Sequence, residues 1–183
     1  MKKLLSLLLA LMYLCALLPA AAEETDRPAL NLPIALTDYQ AAYDALLTDV
    51  VPGCSIAWTN APMEGGECHM ALVNDSIVSV MALTADGQVQ ELAVLIQAPL
   101  EESTLMTFLS MAGYAGAALL RNDQVSSLNA CDAFIGELYT VFSIMTAGGQ
   151  TESIYGLPGG ISISPLADGS YQYYFVLRLT PAE

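Results

Sequence analysis

Cys68 and His69 are the adjacent pair best equipped for chemistry in this chain, and Glu67 stands directly before them. A thiol, an imidazole and a carboxylate are the parts of an activated thiolate nucleophile. Neighbours on a strand point to opposite faces, so this adjacency predicts two side chains held apart, without direct proton transfer. His69 is also the only histidine. A serine hydrolase triad would have to use it, and the chain carries no G-x-S-x-G elbow. One histidine without a C-x-x-C pair does not make a zinc site. The run Gly156-Leu157-Pro158-Gly159-Gly160 has the glycine content of a phosphate loop. It falls between two strand candidates, whereas phosphate loops lead into a helix, so a wide hairpin connection is expected. Nineteen acids leave carboxylate chemistry open, because glycan hydrolysis needs only two. No spacing among them singles out a pair. Calcium lacks an EF-hand loop here, and a looser acidic site stays open. No cofactor is expected.

The remaining candidates are thiols and aromatics. Cys54 and Cys68 flank a segment holding Asn60-Ala61-Pro62 and Gly65-Gly66, which can turn the chain back on itself. A Cys54–Cys68 disulfide is therefore expected in an oxidising compartment, worth about 3 kcal/mol through lost loop entropy. A reducing niche would leave both thiols free. Cys131 falls on an apolar helical stripe and is expected to act as a small core hydrophobe. Trp58, Tyr155 and Tyr174 are the candidate binding-surface aromatics, since such rings give contact area at low entropy cost. They serve cores equally well.

The compartment is argued from the first 22 residues. Lys2 and Lys3 precede the apolar run Leu4–Leu18, Pro19 breaks it, and Ala20-Ala21-Ala22 offers a cleavage site. That run covers fifteen positions, with Ser6 its only polar residue, too few for a stable span, which takes roughly 20. Residues 1–22 are thus expected to be a cleavable signal peptide, giving a secreted or extracytoplasmic chain without stable membrane insertion. Cleavage would remove both lysines and Cys15, leaving Arg27, Arg121 and Arg178 against all 19 acids, a charge of −16. That balance excludes nucleic acid, whose phosphates need lysine and arginine, and favours a soluble monomer.

Hydrophobic periodicity supplies the elements that must position these residues. Residues 23–36 are expected to be an extended leader, and residues 37–183 a single domain. A first helix is expected from Thr37, with Thr37 and Gln40 at capping-box spacing and Tyr39, Tyr43, Leu46, Leu47 and Val50 on one side. Strand candidates follow at 55–59, 69–73, 76–84 and 89–97, with Asn74-Asp75 and Asp86-Gly87 as hairpin turns. Leu92, Val94 and Ile96 alternate with Ala93 and Leu95. A strand apolar on both faces belongs near the middle of a covered sheet.

A second, buried helix is expected after Pro99, with Ala112, Gly113, Gly116 and Ala117 allowing close approach of another backbone. Asn129 is the expected cap of a third helix, whose stripe runs from Cys131 through Phe134, Leu138 and Val141 to Met145. Strand candidates return at 152–157, 161–164 and 170–180. Ala85-Asp86-Gly87 recurs as Ala167-Asp168-Gly169, which raises an internal duplication of a helix-plus-sheet unit.

The fold expected is α+β: antiparallel sheet packed with about three helices, in two related halves if the repeat is real. The function expected, by elimination, is a non-enzymatic binding domain for an extracytoplasmic protein or glycan. The alternatives are a secreted, carboxylate-based glycan hydrolase and a subunit of a cell-surface assembly.

Overall fold

The computed structural model describes residues 27–75, 77–149 and 153–179, and the expected signal segment lies outside them. Among the described residues, three helices and a seven-stranded antiparallel sheet form an α+β fold. In chain order these are α1 (Leu36–Val50), β1 (Ile56–Met63), β2 (Gly66–Val73), β3 (Ile77–Ala85) and β4 (Gln88–Ala98). Then come α2 (Glu102–Ala117), α3 (Ser127–Thr146), β5 (Ser153–Ile154), β6 (Leu157–Pro165) and β7 (Tyr171–Arg178). Across the sheet the order is β1-β2-β3-β4-β7-β6-β5, so β4 lies at its centre. Residues 27–34 cross the helix layer without regular structure, and Ala35 bridges to Gln88.

Turn chemistry sets the hairpins. Asp86 and Gly87 both take positive φ between the paired residues Ala85 and Gln88, the conformation that a two-residue turn needs. Asn74 and Asp75 do the same after Val73, as side chains that tolerate the left-handed region. The glycine-rich segment departs from expectation. Its turn is Tyr155-Gly156, both at positive φ, and Pro158, Gly159 and Gly160 lie inside β6. Gly159 is required there by packing: a β-carbon on it would stand 2.5 Å from the carbonyl oxygen of Val176 on β7.

Helix ends also shift from their expected places. Ala35 precedes α1 without a side-chain cap, so Thr37 and Gln40 form no capping box. Ser126 caps α3 by accepting from the Asn129 amide at 3.3 Å, which makes Asn129 the third helical residue instead of the cap. The stripe behind it holds: Cys131, Phe134, Leu138, Val141 and Phe142 are buried.

The core lies between the helices and one face of the sheet. α2 packs on β3, β4 and β7, while α1 reaches β4 and α3 reaches β5 and β6. Phe108 of α2 meets Tyr173 of β7, and Tyr39 and Tyr43 of α1 meet Trp58 of β1. Buried Ala71, Val80, Ala82, Leu92, Val94, Phe175 and Leu177 complete that side of the sheet.

The matched positions of the internal echo are not equivalent in the fold. Val94 and Val176 are its matched residues, yet Val94 belongs to the helix-side core, while Val176 pairs with Ala93 on the opposite face. Asp86 takes positive φ and Asp168 does not. No helix among the described residues is long and apolar enough to cross a membrane.

Candidate functional site

The Cys68–His69 couple is separated as the strand parity demands. His69 sits opposite Asn60 and Ala82 on the helix side, whereas Cys68 faces Ala61 and Leu83 on the other. Burial pushes the Cys68 thiol above its ordinary value, which favours the inert protonated form. His69 Nε2 lies 3.1 Å from Glu67 Oε2, but the two are not aligned as a hydrogen bond. Cys131 is 5% exposed, and burial, then nearby Asp132, pushes its thiol up to about 11. It is a core residue.

The expected Cys54–Cys68 disulfide is not formed; the three described cysteines are free. The hairpin turn explains why. The chain reverses at Glu64-Gly65, so Cys68 stands opposite Ala61, seven residues beyond Cys54. That offset is about 23 Å of strand, far outside the reach of a disulfide. Cys54 instead donates through Sγ to the Leu47 carbonyl at 3.6 Å.

The three candidate aromatics are not brought together. Trp58 packs edge-on against Tyr39 and Tyr43, and its indole N–H donates to Asp44 Oδ1 at 2.9 Å. Tyr155 is buried in the β5–β6 turn. It stacks on Phe134, lies 3.7 Å beneath the Arg27 guanidinium, and donates its hydroxyl to the Pro28 carbonyl at 2.7 Å. Both rings are engaged in holding the fold together, with Tyr155 buried and Trp58 half-buried. Tyr174, likewise half-buried, differs in lying on the side of the sheet away from the helices.

That side is the most distinctive surface of the described structure. Register places Thr59, Met70, Met81, Ala93, Val176 and Gly160 in one row across six strands. Flanking it are Leu95 and Tyr174 in one direction and Cys68 and Leu83 in the other. Cys68 and Ala93 are themselves buried, at 8% and 4% exposure, and the others neither belong to the helix-side core nor pack against it. Leu95 is 38% exposed, and Met63 at the edge is 52% exposed. Polar side chains appear mainly at the margins, as Gln97 opposite Gln172 and Glu91 opposite Arg178. Arg178 Nε donates to Glu91 Oε2 at 3.3 Å. Burial pushes the Tyr174 phenol up, and Glu91 adds to the shift.

Acids gather at the hairpin end of β1 to β4. One open cleft of about 290 Å³ is lined by Glu64, Glu67 and Glu91 together with Leu83, Thr84 and Arg178. A second, of about 350 Å³, is lined by Glu67, His69, Asp86 and Leu36. Among the described residues, no group of three or more histidine, cysteine or acidic side chains is placed to hold a metal ion.

Comparison with known proteins adds no relative: no family model, curated protein or solved structure matches the chain. The site therefore stands on its own geometry. Met70, Met81 and Leu83 were not among the residues expected to form a surface. The signal for them was present in β4, whose two apolar faces were assigned to a sheet covered on both sides. The helices cover only one.

Proposed function

We propose that this chain is an exported, non-enzymatic interaction domain that engages its partner through the uncovered face of its sheet. The observation that carries this reading is the apolar row from Thr59 to Gly160, open on the side opposite the helices. Contiguous apolar surface of this kind marks an interaction site. Export rests on the positively charged, apolar and small-residue parts of residues 1–22. The carboxylate alternative finds less support: Glu91 is tied to Arg178, and Glu67 lies against His69.

Site-directed photo-crosslinking in the producing cell tests this reading. A photoreactive residue at Tyr174 should give adducts of higher mass, and one at Leu128, 68% exposed on α3, should not. Equal adducts from both positions, or none from Tyr174, would sink it. Turnover of a glycan by the purified chain, abolished by Glu67→Gln, would move the function to the hydrolase class.

A further inference from the structure

We propose that Glu67 and His69 form a site for one divalent transition-metal ion of the zinc type, an inference that does not depend on the apolar face. The two stand at positions i and i+2 of β2 and so share its helix side. β2 is paired on both edges, with Glu67 opposite Pro62 and Thr84 and His69 opposite Asn60 and Ala82. Thr84 also donates its hydroxyl to the Glu67 carbonyl at 3.3 Å. The backbone beneath both side chains is therefore fixed before any ion arrives, which is what a ligand pair needs. His69 is 9% exposed, and its Nε2, closed to water, has no hydrogen-bond partner among the described residues. An orphaned buried nitrogen costs stability, and this residue lines a cleft of about 350 Å³ together with Glu67 and Asp86.

Geometry selects a metal ion over other cations. Two ligand atoms bonded to one such ion at about 2.1 Å stand about 3.0–3.4 Å apart. Neither lies on the other's lone-pair axis, because both axes point at the metal. Glu67 Oε2 stands 3.1 Å from His69 Nε2 without the alignment of a hydrogen bond, and so meets both conditions. An ammonium or guanidinium group bonds its acceptors at about 2.9 Å in separate directions, which spreads two of them to more than about 4 Å. The donor set narrows the ion further. Imidazole suits zinc, copper and nickel, whereas magnesium and calcium favour oxygen ligands alone. Asp86 on the same cleft and Glu64 on the adjoining one add negative charge, and the chain's −14 concentrates divalent cations around it. Two side chains leave the other coordination positions to water. The site is therefore open and exchangeable, unlike the closed structural zinc centre that a single histidine rules out.

Calorimetric titration of zinc chloride into the purified chain, untagged and cleared of metal with a chelator, tests the site. The imidazole nitrogen signals of the nuclear magnetic resonance spectrum are followed in parallel. His69 is the only histidine, so those signals report on it alone. One ion should bind per chain with a Kd between about 1 µM and 1 mM, and binding should move the Nε2 signal. Magnesium chloride at the same concentration should leave that signal in place. Glu67→Gln, at a side chain 55% exposed, should keep the fold and weaken zinc binding by at least about 10-fold. His69→Gln should weaken it as much, with circular dichroism checking that the chain still folds. Three results overturn the proposal: no binding at about 1 mM zinc, zinc bound with the Nε2 signal unmoved, or a Glu67→Gln chain that binds like the native one. None of them bears on crosslinking from Tyr174, so this site and the binding face stand or fall separately.

Discussion

Gly116 faces α3 from α2, and a β-carbon added there would fall within the ring of Phe134. That ring cannot retreat. It is fully buried and stacks on Tyr155 at 5.6 Å, and Tyr155 is held by Arg27 above it and by its hydrogen bond to Pro28. Gly116→Ala therefore sets two effects against each other. Helix propensity gains about 1 kcal/mol, while forcing an extra methyl into a closed core costs about 1–3 kcal/mol. Full burial of Phe134 places the cost at the upper end, for a net loss of about 1–2 kcal/mol. The melting temperature should then fall by about 3–8 °C in a domain of this size. Gly136 on α3 is the control, because a β-carbon there meets nothing within 4 Å. Gly136→Ala should stabilise by about 0.5–1 kcal/mol. Urea titrations and thermal melts followed by circular dichroism measure both. Shifts of the same sign in the two variants would refute the packing argument.

Thiol reactivity provides a second check. A thiol reagent added to the native chain should modify half-buried Cys54 first, Cys68 more slowly, and Cys131 only on unfolding; an intact Cys54–Cys68 bridge by mass spectrometry would contradict the hairpin register. Alkaline stability follows from Cys131, whose thiol ionises near 9 when unfolded and at about 11 when folded. Between those values the unfolded chain holds fewer protons, so stability is intact below pH 9 and falls by about 1–3 kcal/mol as pH rises towards 11. Cys131→Ala should flatten that decline in pH-dependent urea titrations, and an unchanged slope would exclude the thiol as its source. Tyr155→Phe removes the bond to Pro28 and should cost about 1 kcal/mol; limited proteolysis should then cut sooner within residues 27–35, and an unchanged cleavage rate would mean the segment is held elsewhere.

What was legible in the sequence was whatever depends on local chemistry. The stripe of α3 and the Asp86-Gly87 turn follow from side-chain spacing and from the few residues that tolerate positive φ. The opposed directions of Cys68 and His69 follow from strand parity alone. What failed depends on where a turn falls or what lies across the sheet. Moving the hairpin reversal to Glu64-Gly65 is enough to carry Cys54 and Cys68 beyond bonding distance. Gly159 looked like turn chemistry because its real requirement, the Val176 carbonyl on the next strand, is distant in sequence. Tyr155 has the composition of a binding residue, and only tertiary contacts with Phe134, Arg27 and Pro28 make it a structural one.

The uncovered face follows from counting layers. Neighbouring helices lie about 10 Å apart, so three of them span about 30 Å. Seven strands at about 4.8 Å span nearly the same width. The three helices among the described residues therefore suffice to cover one face of this sheet and leave none of their number for the other. A strand such as β4, apolar on both sides, then has only two physical outcomes: its second face meets water, or another molecule covers it. Methionine and leucine at Met70, Met81, Leu83 and Leu95 make the first outcome costly, at about 25 cal/mol for each Å² left in contact with water. On that far side Ala93 and Cys68 are buried within the single copy, while Leu95 stays 38% exposed. Covering Leu95 on association would recover that energy, which links the alternation written into β4 to the function proposed for the chain.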